Sequence, residues 1–213
     1  MVKLHDRWGW AFIVTACILT SAVRASPQQV PARLDLSQPI TYYIAAGSAD
    51  SGFRAGDRTL AEWALRLWGR QTDPAAKMVP GPEATATVRI YWASAESGLY
   101  GEMRVRTVKG HFAADVFVHP DTDGLGPDIA GQARRDPLFR DTIVYLTCVH
   151  ELGHAFGLPH TKAFADIMYS FQYGGDFVAY FMRFRDQLKA KSDIPKASPF
   201  SAADRAALRV VSR

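Results

Sequence analysis

Cysteine is almost missing from this sequence: its 213 residues contain two, Cys17 and Cys148. A disulfide scaffold is therefore excluded, and the fold must rest on a packed core or on bound metal. A dense basic stripe is missing too. The formal net charge is only +4. The one basic cluster, Arg183, Arg185, Lys189, Lys191 and Lys196, is interleaved with Asp186 and Asp193, as on a solvated helix face. Nucleic acid is not an expected partner. Internal repeats and low-complexity tracts are lacking as well. With 48% hydrophobic and 22% charged residues, the composition is that of a globular protein. At this length one sizeable core fits, and a second full domain would be cramped.

Long apolar runs are limited to one, Trp8 to Val23, which is short for a membrane span and interrupted by Thr and Ser. Lys3 and Arg7 precede it, and Val23-Arg24-Ala25 before Ser26 fits the small-x-small cleavage rule. Residues 1–25 are expected to be a signal peptide, which makes the protein secreted, periplasmic or extracellular. Membrane attachment would follow only if that segment stayed uncleaved or Cys17 were lipidated. Cleavage takes three bases and one acid from the 25 and 21 of the whole chain, leaving a net charge of +2 and Cys148 as the sole cysteine.

Residues 26–38 read as an extended lead-in to one domain over 39–213. Thr41-Tyr42-Tyr43-Ile44 is a β-branched and aromatic first strand. Leu60, Trp63, Ala64, Leu67 and Trp68 form one helical stripe, with Thr59 and Glu62 as its capping box and Gly69 at its C-terminal end. Pro74 to Pro82 reads as loop, and Thr87 to Trp92 as a second strand. Tyr100–Arg106 and Phe112–Val118 form a hairpin turned at Lys109-Gly110. The prolines and glycines of 119–137 predict a long surface loop. A helix follows from Asp141, its N-cap, to Phe156. An aromatic helix spans about 176–190 behind Asp176, and a last one starts at Ser201 with Asp204 three residues on. Strands first and helices after give an α+β class with α/β character: a mostly parallel sheet packed on helices.

The informative stretch is His150-Glu-Leu-Gly-His-Ala-Phe-Gly-Leu-Pro-His160. Residues four apart share a helix face, so His150 and His154 can present imidazoles to one metal ion, with Glu151 beside them. Gly157 can end the helix in a left-handed conformation, and Pro159 stiffens the return that brings His160 to the same point. Three nitrogen ligands with a fourth position left open is the set of a catalytic Zn²⁺ rather than a structural one. Two further groups were weighed. His111, Asp115 and His119 could form a second metal site, against a strand and loop exit with ordinary polar residues. Asp121, Asp123 and Asp128 are oxygen-rich enough for Ca²⁺, against a solvated loop.

This stretch, with Asp166-Ile167-Met168-Tyr169 eight residues beyond, resembles the zinc signature and methionine turn of the metzincin proteases, and is nearest to the matrixins. The resemblance implies a single metzincin-like catalytic domain over 39–213, with an antiparallel edge strand beside the active-site helix. It implies a zinc-dependent endopeptidase acting on protein or peptide substrates, with His150, His154 and His160 as ligands and Glu151 activating the zinc-bound water. Gly157 and Met168 would be structural support, Met168 as the floor of the site. Tyr169 would be a wall of the substrate pocket rather than an extra ligand, since Ser170 stands where related families carry a ligating tyrosine. Departures are clear. Fifteen residues before the first strand leave no room for a folded propeptide, and Cys148, two residues before His150 on the helix, points away from the zinc face. The aromatic helix is inserted where matrixins carry their pocket loop. The rival reading is a non-catalytic, zinc-stabilised secreted scaffold or adhesion module; a peptidase confined to one partner is a second.

Overall fold

A computed structural model describes residues 33–72, 74–94 and 100–211; the signal-peptide reading of 1–25 falls outside them. Strand β1 (Ile40–Ile44) is followed by helix α1 (Asp57–Gln71), β2 (Met78–Pro80), β3 (Val88–Trp92), β4 (Gly101–Val108) and β5 (His111–Val118). Helices α2 (Pro127–Arg135), α3 (Pro137–Ala155), α4 (Phe177–Arg185) and α5 (Ala202–Val211) complete the chain. The sheet order is β2-β1-β3-β5-β4, parallel except for the antiparallel β4–β5 pair. This is the expected α+β arrangement. Lys109 and Gly110 carry φ of 49° and 81° at the hairpin turn, as a two-residue loop between twisted strands requires. Among the described residues no helix is long and apolar enough to cross a membrane.

The core lies between the sheet and α1 and α3. Val88 and Ile90 of β3 and Ala114, Val116 and Val118 of β5 are buried, and meet Leu60, Ala64 and Trp68 of α1 and Ile143, Val144 and Leu152 of α3. On α1 the sequence misjudged both ends. The helix starts at Asp57, not at a Thr59–Glu62 box, because the Asp57 carboxylate accepts the Arg54 amide at 2.7 Å and pairs with buried Arg140. Glu62 reaches Arg58 instead, at 3.4 Å. Gly69 lies inside the helix. A Cβ there would sit 2.7 Å from the Ala76 carbonyl oxygen, so glycine permits the chain to return close beside α1. That return builds β2 within the segment read as loop, pairing with β1 from Ile40–Met78 to Tyr42–Pro80. Pro80 is tolerated because β2 is an edge strand.

The prolines of 119–137 start helices rather than prevent them. Pro127 opens α2, and Pro137 opens α3, where a missing N–H costs nothing. Asp136, not Asp141, caps α3, accepting the Leu138 and Phe139 amides at 3.0 and 3.2 Å. Asp141 sits within the helix and pairs with Lys191 at 2.9 Å. Asp176 caps α4 through the Ala179 amide, and Ser201 and Asp204 form a reciprocal capping box, both as expected.

Arg140 ties these pieces together. Its guanidinium donates to Asp57, to the Gly52 carbonyl at 3.2 Å and to the Pro120 carbonyl at 3.0 Å. Both charges are buried, so removing Asp57 leaves Arg140 with only the more distant Asp141, at 3.6 Å, as counter-charge. Asp57→Ala is expected to lower stability by about 3–5 kcal/mol, read from the midpoint of urea unfolding against the parent.

Candidate metal centre

Helix α3 ends in a Schellman turn. Leu158 N–H donates to Gly153 C=O at 3.0 Å and Gly157 N–H to His154 C=O at 2.9 Å, with Gly157 at φ +90°. Leu158 and Phe156 are buried, which anchors the reversal. Its product is the meeting of three imidazoles. His160 Nε2 lies 3.1 Å from both His150 Nε2 and His154 Nε2. His150 Nδ1 is 2.7 Å from the Ile167 carbonyl oxygen and His154 Nδ1 2.9 Å from that of Leu158. A carbonyl only accepts, so both Nδ1 atoms carry the proton and both Nε2 atoms present lone pairs.

Two Nε2 lone pairs converging on a third imidazole nitrogen at this distance suit a cation. Tetrahedral nitrogen ligands ~2.0–2.1 Å from zinc lie ~3.3 Å apart, close to the observed separation, so this donor set fits Zn²⁺. Burial also depresses the imidazolium form: His150 is held down to about 3, chiefly by desolvation and then by its neighbours His154 and His160. His154 and His160 are lowered for the same first reason. Neutral imidazoles are what a metal needs. Among the described residues these three form the one convergent group of such ligands.

The second candidate group does not assemble. His111 is exposed at one end of β5, Asp115 is held by Arg89 and Arg106, and His119 is buried beyond the other end. One extended strand separates residues that alternate at four-residue spacing by more than 10 Å, which the pattern alone should have signalled. In the acidic loop, Asp123 pairs with Arg134 at 2.8 Å and Asp121 accepts the Asp123 amide.

Beneath the site, Met168 is buried, and a Cβ on Gly153 would fall 2.4 Å from its sulfur. Glycine at 153 is therefore what lets the methionine turn press against the ligand-bearing helix. Trp68 supports the same face, donating its indole N–H to Val149 C=O at 2.9 Å and stacking on Phe156 at 5.0 Å. Thr161 N–H donates to Met168 C=O at 2.8 Å and Ser170 N–H to Thr161 C=O at 3.1 Å, which joins the His160 segment to the turn. Asp204 accepts the Ile167 amide at 2.9 Å, and Tyr180 donates to the Asp166 and Ile167 carbonyls. The carbonyl that orients His150 is thus itself held by α4. Sequence reasoning missed Gly153, Trp68, Tyr180 and Asp204 as supports of the site, since their partners are distant in the chain.

Glu151 is buried beside the ligands, at the wall of a cavity of about 250 Å³. Tyr100, Leu146, Tyr169, Phe171, Tyr180 and Phe181 line it, and His150 and His160 reach it too. Tyr169 donates its hydroxyl to Gly174 C=O at 2.6 Å. It lies in the wall, and its oxygen is engaged away from the histidines. Desolvation, and then Glu102, raise the Glu151 carboxyl to about 8, against a hydrogen bond from the Met103 backbone. Gly101, the first residue of β4, makes room: a Cβ there would lie 2.8 Å from Glu151 Cγ and 2.9 Å from its Oε1.

The Matrixin family model matches residues 36–176, 141 of the 213 residues. A search of curated proteins returns no match.

The metal-free protein is expected to be most stable near pH 6.5. Below that, the unfolded chain binds protons its depressed histidines refuse, so stability rises with pH. From about 6.5 to about 8 the folded state alone keeps the Glu151 proton, so stability falls, by about 2 kcal/mol. Chemical denaturation in chelator across this range measures it, and Glu151→Gln should flatten the alkaline limb. Gly101→Ala is expected to displace the Glu151 carboxyl while zinc affinity, read by competition with a chromogenic chelator, stays within about threefold.

Proposed function

The chain belongs to the matrixin family and is a zinc-dependent metalloendopeptidase, and on that premise we propose that it cuts internal peptide bonds with Glu151 as general base. His150, His154 and His160 would hold the metal. Zinc, when bound, supplies a Lewis acid that polarises the scissile carbonyl and acidifies a water molecule. The observation that carries the reading is the position of Glu151. Its carboxyl is buried, adjacent in sequence to His150, in the wall of the cavity that His150 and His160 also line.

Glu151 takes the proton of the attacking water and later delivers it to the leaving amine. Gly101 keeps that carboxyl's approach clear, and the Met103 backbone orients it. The substrate runs extended along β4, whose outer edge is unpaired among the described strands, and bonds to it main chain to main chain. Partial desolvation disfavours protonation of all three imidazoles, which favours an intact ligand set in mildly acidic medium. The N-terminal sequence pattern supports a further part of the proposal, that the domain acts after export.

A zinc-stapled scaffold would need the histidines and the reversal at Gly157 but would have no use for Glu151. The test separates them. Glu151→Gln should bind zinc as the parent does, measured by metal analysis after dialysis, while cleavage of an unfolded protein substrate drops by about 10²–10⁴-fold. Chelator should abolish cleavage by the parent, and added zinc should restore it. Equal cleavage by parent and Glu151→Gln, or no zinc in either, sinks the proposal.

A further inference from the structure

A second cleft, of about 320 Å³, opens between the first turns of α2 and α4. Leu125, Ile129, Phe177 and Val178 give it apolar walls, and Asp128 and Asp176 are its only charged groups. Ile129 is buried and both acids are exposed, so the apolar part lies deep and the acidic part at the rim. Gln132 of α2 meets Met182 of α4 at 4.0 Å, a contact that joins the two helices forming the cleft.

This cleft adjoins the cavity beside Glu151. Phe177 is a wall of the one, and Tyr100 and Phe171 are walls of the other. The Phe177 ring centroid lies 4.6 Å from that of Phe171 and 6.3 Å from that of Tyr100. Packed rings alone separate the two. An extended chain advances ~3.3 Å per residue, so a peptide seated at the metal centre reaches the cleft roughly two to five residues further on.

Its charge is unbalanced. The Asp128 carboxylate has no hydrogen-bond or ion-pair partner among the described residues. Asp176 gives one oxygen to the Ala179 amide, at 2.9 Å, and keeps the other free among those residues. Two helix N-termini contribute about +0.5 charge each, which leaves roughly one negative charge uncompensated. A lysine or arginine side chain matches both features: its methylene stem packs on the apolar walls while its cation stays at the wet rim. An acidic side chain meets repulsion there, and an apolar one finds no partner at the rim.

Resting on the endopeptidase reading, we propose that this cleft is a remote subsite for a lysine or arginine of the substrate, several residues from the scissile bond. Phe177 and Val178 follow the last residue of the family match, Asp176, so part of the apolar wall comes with α4.

The test uses zinc-loaded full-length protein and one neutral peptide, into which a lysine or a glutamate is placed at successive positions. Cuts are mapped by mass spectrometry. At one position or two neighbouring ones, roughly two to five residues from the bond, kcat/KM for lysine should exceed that for glutamate about five- to tenfold. The ratio should shrink towards one at ~0.5 M salt. In Asp128→Asn with Asp176→Asn it should fall below about twofold there and keep its parent value elsewhere. Asparagine caps a helix as aspartate does, so α4 keeps its start, and cooperative thermal unfolding verifies the fold. Asp128→Lys should reverse the preference. The same peptides titrated into Glu151→Gln, with and without the two asparagines, give the ratio from binding alone. A parent with no lysine preference at any position overturns the proposal, as does a preference that survives in the folded double variant. A parent that cuts nothing overturns the endopeptidase reading instead, and binding to Glu151→Gln then decides the subsite.

Discussion

Three imidazole Nε2 atoms brought together, with that of His160 3.1 Å from those of both His150 and His154, are an arrangement that a polypeptide does not hold without reason. Each neutral ring would be better served by water or a donor. The chain keeps them there through bonds that are individually modest: two carbonyls gripping Nδ1 atoms, and the 6→1 and 5→2 bonds of the Gly157 reversal. A cation that takes up the Nε2 lone pairs stabilises such a cluster. Metal binding and local folding are then one equilibrium, in which the free energy of coordination offsets desolvation and mutual repulsion of the rings.

That requirement propagates outward. The Ile167 carbonyl that fixes His150 lies in the methionine turn, whose shape is held from below by Met168 against Gly153 and from behind by Asp204 and Tyr180. Asp204 also caps α5 through Ser201, so the C-terminal helix is registered to the turn by one buried carboxylate. Trp68, 81 positions earlier in the chain, bonds the Val149 carbonyl just before His150. Helix α1, α4 and α5 thus converge on the few residues that orient imidazoles, which is how a metal site gains rigidity from its surroundings.

What could be read in the sequence follows from how local the cause is. The convergence of His150, His154 and His160, the reversal at Gly157 and the caps at Asp176 and Ser201 are dictated within one or two turns of chain, and each was legible. So were β1, β3 and the hairpin, where alternation and a Lys-Gly turn act over a few residues. The failures share the opposite property. Asp57 starts α1 because of Arg140, 83 positions away; Gly69 is small because β2 passes behind it; Glu151 tolerates burial because Gly101 lacks a side chain. Prolines 127 and 137 were misjudged for another reason. Proline ends helices and begins them with equal economy, and only a partner such as Asp136 at the N-cap distinguishes the two.

The strongest internal argument for chemistry over mere stapling is energetic. A metal-holding scaffold gains from each histidine, and from Met168 and Gly157, but burying the Glu151 carboxyl costs desolvation of its charged form and adds no fourth residue to the convergent histidines. Substituting an amide or an apolar residue would remove that cost. Gly101, itself a weak strand residue, is a second concession at the same spot, since it exists to let the carboxyl stand against β4. Two unfavourable features that meet at one side chain, facing the cavity that His150 and His160 also line, are the pattern of a site where stability has been traded for reactivity.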